Sequence, residues 1–118
     1  MGDFKRLVAW QQAQELGREL SIAFKSRSAR DYPGLRNQVL RAAESIPSAL
    51  AEGCAKRSRR ELARFAEMAY ASAKEIESQL IFARNVEVLS AQSSEDLGRK
   101  TDHVARLCFG LMRLPPED

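Results

Sequence analysis

Apolar residues recur every three or four positions in four stretches of the chain, and short polar or Pro/Gly segments part the stretches. Leu7, Trp10, Ala13, Leu16, Leu20, Ala23 and Phe24 make the face of a helix predicted over residues 4–25, with Asp3 as its N-cap. Tyr32-Pro33-Gly34 marks a turn into a second helix over 34–52, ended by Gly53 as a left-handed C-terminal residue. Ser58-Arg59-Arg60-Glu61 has the form of a capping box, so a third helix starts at residue 59. Its stripe of Leu62, Phe65, Ala66, Ala69, Ala73, Ile76, Leu80 and Ala83 carries it to residue 86. A fourth helix is predicted over 95–113, capped by Ser93 or Ser94 and stopped by Pro115-Pro116, with Leu97, Thr101, Val104, Cys108 and Leu111 as a bundle seam. Four helices with short loops predict an all-α, antiparallel up-down-up-down four-helix bundle, one domain over residues 1–118.

The second helix carries two stripes rather than one. Leu35, Val39, Ala42, Ile46, Ala49 and Gly53 suit the bundle core, while Leu40, Ala43, Pro47, Leu50 and Cys54 adjoin them and ask for a second partner surface. Pro47 removes the donor to the Ala43 carbonyl and should kink the helix, with Ser45 or Ser48 placed to relieve the carbonyl. On the third helix Met68, Phe82 and Val86 lie off the core stripe. These patches predict homo-oligomerisation through Leu40, Pro47, Leu50, Met68 and Phe82, the alternative being that Ala43 and Leu50 widen the core face. Arg41, Ser45, Ser48 and Glu52 form a polar flank, in which Arg41 and Glu52 are expected to pair within or between subunits, the alternative being a binding strip.

Composition agrees with a folded helical protein: 44% of residues are hydrophobic and 30% charged, with only four prolines. The net charge of +3 is modest, yet its distribution is not, since Lys56, Arg57, Arg59, Arg60 and Arg64 face a single acid, Glu61, in one short segment. Such a cluster at a helix entry can neutralise several phosphates of a nucleic-acid backbone, or can merely solvate a loop. No aromatic residue interleaves it, which argues against base stacking there.

Catalytic signatures are missing. His103 is the one histidine, and Lys100 stands where a Glu-x-x-His metal motif needs its carboxylate. The glycines form no phosphate-binding loop. Cys54 has Lys56 and Arg57 near it, which would lower its pKa, but no histidine close in sequence to act as base. The expectation is therefore no enzyme, no metal and no cofactor. Two cysteines in apolar patterns suit a reducing compartment, and the absence of a membrane-length apolar run or an apolar leader region places the protein in the cytoplasm, off the membrane.

The succession LVAWQQA, GLRNQVLRAAESIPSALAEG, AKRSRRE and ARFAEMAYASAKEIESQL resembles the family of small four-helix-bundle proteins encoded by intervening sequences within bacterial 23S ribosomal RNA genes. That family is similar to the accessory variability determinant of diversity-generating retroelements, a homopentameric barrel that binds nucleic acid and a reverse transcriptase through a basic surface. The resemblance covers nearly the whole chain and implies a homopentamer, an RNA or DNA partner, and a reverse transcriptase or other protein as a further one. It points to Arg36, Arg41, Lys56, Arg57, Arg59, Arg60 and Arg64 as the nucleic-acid-binding residues. Ala49 stands where family members often have Asn, and Ala71-Ser72 where they often have Gly-Ser. The alternative function is a protein-interaction scaffold that touches no nucleic acid.

Overall fold

The helical periodicity is realised as α1 (Val8–Ala23), α2 (Pro33–Cys54), α3 (Arg59–Asn85) and α4 (Ala91–Met112) in the computed structural model, which describes residues 2–115. Two short 3-10 turns, Phe4–Arg6 and Ser28–Asp31, complete the regular structure of the described residues. Each helix packs on the next, α1 also packs on α4, and the diagonal pairs make no close backbone contact. The four helices therefore ring a shared core in a body of 51 × 20 × 18 Å. Pro116, half of the predicted stop after α4, lies outside the described residues.

The chain enters its first helix later than the periodicity suggests. Asp3 does act as a cap, its carboxylate accepting from the Lys5 amide at 3.0 Å, but the turn it caps ends at once because Leu7 is extended. The side-chain amide of Gln11 donates from Nε2 to the Lys5 carbonyl at 2.8 Å and ties the turn to α1. From there Ala9, Ala13, Leu16 and Leu20 are buried, as is Phe24 at the cap.

α2 corrects two expectations at its C-terminal end. It runs two residues past Glu52, and Gly53 is a buried helical residue instead of a left-handed terminator. A Cβ on Gly53 would stand 3.0 Å from both Leu62 Cδ1 and Phe65 Cβ, so what the position requires is close approach of α3. The helix continues through Pro47, as the predicted span requires. Ser45 Oγ donates to the carbonyl of Ala42, one residue short of the carbonyl that Pro47 frees, and sits 2.6 Å from Ser72 Oγ on α3.

The second stripe is largely intramolecular. Ala43, Pro47, Leu50 and Cys54 are all buried, Leu50 completely, and Leu40 is half-buried. The physical reason is α2's place in the ring: a helix flanked by both α1 and α3 buries two adjoining faces within one chain. Leu50, enclosed within its own chain, therefore presents no surface to a second subunit, contrary to the expectation that it lies in the oligomer interface.

α3 leaves its core stripe buried throughout and ends in a Schellman motif, with Val88 N–H on the Ala83 carbonyl at 2.8 Å and Glu87 N–H on that of Arg84 at 3.0 Å. Glu87 takes the left-handed position at φ 63°. Val88 and Leu89 then tuck into the core, and Ser90 caps α4 by accepting from the Ser93 amide at 3.0 Å. The helix thus begins a turn before the predicted Ser93 or Ser94. Ser94 is instead buried, donating to the Leu80 carbonyl at 3.1 Å.

Candidate nucleic-acid interface

The connection between α2 and α3 is four residues long, so Lys56 and Arg57 stand directly beside the first turn of α3 with Arg59 and Arg60, and Arg64 follows one turn on from Arg60. The Ser58 hydroxyl fixes this entry by accepting from the Glu61 amide at 3.2 Å, the serine half of the predicted capping box. Phe65, buried beneath the loop, positions two of the cations: Lys56 Nζ lies 5.3 Å and the Arg64 guanidinium 5.6 Å from its ring centre. Arg57, Arg60 and Arg64 are exposed. The α3 N-terminus adds the positive end of its dipole to the same surface.

Three further cations join from remote parts of the sequence. Arg59 donates to the Pro115 carbonyl at 3.4 Å, which brings the end of α4 to this end of the bundle, with Arg113 stacked 5.6 Å from the Phe109 ring. The N-terminal 3-10 turn packs against α2, and Asp3 is close enough to act electrostatically on Cys54. Lys5 and Arg6 arrive with it. Among the described residues of these segments only Asp3, Glu52 and Glu61 oppose the set, and the Asp3 carboxylate is engaged by the Lys5 amide. No sequence pattern links Lys5, Arg6 and Arg113 to residues 56–64, because their proximity depends on how the helices return.

Two predicted cations are elsewhere. Arg36 lies in the first turn of α2, about five helical turns from Cys54, where its Nε donates to the Phe24 carbonyl at 3.2 Å. Arg41 is exposed in the same half of the helix. Neither Arg41 nor Glu52 forms an ion pair among the described residues.

The remaining interface residues do not share one face. Leu40 and Pro47 floor a groove of about 590 Å³ between α1 and α2, beside Gln14, Gly17 and Arg18. Met68 and Phe82, each about half exposed, stand on the outer side of α3, where Phe82 borders a separate groove with Tyr32, Leu35 and Gln38.

The thiols are the reverse of activated. Burial pushes the Cys54 pKa up, contrary to the lowering expected from Lys56 and Arg57, and lifts that of Cys108 to about 11. His103 is exposed on α4 near Lys100, which pairs with Glu19 on α1. Among the described residues no group of three or more His, Cys, Asp or Glu side chains is placed to hold a metal ion, and no helix is long and apolar enough to cross a membrane.

Comparison with known proteins bears on both the family and the fold. The family model described as 23S rRNA-intervening sequence protein matches residues 5–110. The crystal structure of a protein of unknown function from the S23 ribosomal protein family of Bacteroides thetaiotaomicron aligns with a TM-score of 0.80, covering 91% of this chain and all of that one. Sequence identity there is 17%, so the likeness bears on the fold alone. No curated protein matches the sequence.

Proposed function

The chain belongs to the 23S rRNA-intervening sequence protein family, and from that premise we propose that it is a non-enzymatic, oligomeric bundle that binds RNA or DNA through the basic end around the α2–α3 loop. One observation carries the reading: Lys56, Arg57, Arg59, Arg60 and Arg64 converge with Lys5, Arg6 and Arg113 on one end of the molecule. Such a surface neutralises phosphates and positions a nucleic acid without reading its bases. Phe65 is buried under the cations, so it anchors side chains rather than stacking on bases.

In this reading the helices alternate in direction. Connections of four residues after α2 and five after α3 span at most ~18 Å, too short to return along helices of more than ~30 Å. Self-association follows from the exposed apolar residues. A closed ring needs two different complementary patches on each subunit, and the groove over Leu40 and Pro47 and the outer face bearing Met68 and Phe82 are two such patches. The number five rests on resemblance, as does a reverse transcriptase or other protein as an additional partner. Two unbridged, buried cysteines suit the cytoplasm.

Equilibrium binding of single-stranded RNA and duplex DNA at low salt, by the wild type and by an R57A/R60A/R64A variant, tests the reading. The wild type binds at least one of them, and the variant binds at least ~10-fold more weakly, since charge-assisted contacts are each worth more than a neutral hydrogen bond. No affinity in the wild type, with recovery of a polypeptide partner after nuclease treatment, would select the scaffold function instead.

A further inference from the structure

Arg36, separated from the basic loop by the length of α2, has company of its own. At the opposite end of α2 a cleft of about 380 Å³ is lined by Phe24, Lys25, Ala29, Arg30, Pro33 and Arg36, three cations and no carboxylate. Asp31, next to Arg30 in sequence, does not line it. We infer that this cleft is a phosphate-binding site, independent of the basic end. The Nε of Arg36 is held by the Phe24 carbonyl at 3.2 Å, which orients the guanidinium and leaves its two terminal amino groups for another acceptor. Arg36 is half-buried, so its charge is less screened than that of a surface arginine, while Lys25 and Arg30 are exposed at the rim. None of the three forms an ion pair among the described residues. The start of α2 strengthens the field. Pro33 stands at its first turn, no side chain caps it, and its positive dipole end opens beside the cleft.

A planar guanidinium flanked by two exposed cations suits a tetrahedral oxyanion, which accepts from several donors at once. The phosphate can belong to a nucleic-acid backbone or to a small phosphorylated molecule. In the first case the protein contacts nucleic acid at both ends of its long axis.

The test is a titration of isotope-labelled protein at low salt with inorganic phosphate and, separately, with a short single-stranded RNA, following the Arg36 Nε–H and the amides of residues 29–32 and 34–36. It is run in the wild type, in K25A/R30A and in R57A/R60A/R64A. A saturable response that weakens at least ~10-fold in K25A/R30A, and that R57A/R60A/R64A retains, supports the site whatever becomes of the basic end. R36K, which keeps the charge and loses the fork, weakens it as well. A response to phosphate alone assigns a small anion; one to RNA assigns the backbone. No saturable response to either probe, or one that K25A/R30A leaves unchanged in a normally folded protein, overturns the inference.

Discussion

Glu87 holds a left-handed backbone at φ 63° without being glycine, and the Schellman motif that follows α3 depends on it. A β-carbon there costs on the order of 1 kcal/mol, so Glu87→Gly should raise the unfolding free energy by about that amount in a urea titration. Cys108 makes a second residue-scale prediction. Its thiol is raised from the usual 9.0 to about 11 by burial, so the folded state holds the proton more tightly than the unfolded state. Its stability contribution is complete below pH 9 and is lost as pH rises toward 11. The thermal midpoint of the wild type should therefore fall over that window more steeply than that of Cys108→Ala, and iodoacetamide should modify Cys108 at neutral pH only as the protein unfolds.

At the scale of the elements, the α2–α3 pair is set by Gly53 at one end and by the Ser45–Ser72 contact further along. Gly53→Ala gains up to ~1 kcal/mol of helix propensity but drives a methyl into Leu62 and Phe65, for ~1–3 kcal/mol of overpacking. The net effect should be a lower midpoint in denaturant, and a higher one would contradict the close approach. The existence of the four helices and their buried stripes was legible in the sequence because a 3.6-residue repeat records burial directly. Their ends were not. Ser93, Ser94, Glu95 and Asp96 imitate a helix start, yet Ser90 caps first because the chain reverses at Glu87, which carries no glycine to announce the turn. Gly53 misleads in the other direction, since a glycine near a helix end reads as a terminator when the reason for it is a neighbouring helix. The two stripes of α2 were visible, but whether the second faces α1 or another subunit depends on the ring, which no single helix encodes.

For the whole molecule the same limit governs the site. Residues 56–64 show as a basic cluster because they are contiguous, whereas Lys5, Arg6 and Arg113 join them through folding and Arg36 leaves them through it. If the outer face of α3 is an assembly surface, M68D/F82D should reduce the mass measured by light scattering while leaving the helical circular dichroism unchanged; a monomeric wild type would contradict the oligomer outright. The claim that the basic end engages phosphates is tested most directly by the salt dependence of RNA binding. Counterion release contributes ~0.7 per phosphate neutralised on a single strand, so R57A/R60A/R64A should lower the slope of log affinity against log salt by about 2 relative to the wild type. An unchanged slope would contradict the account.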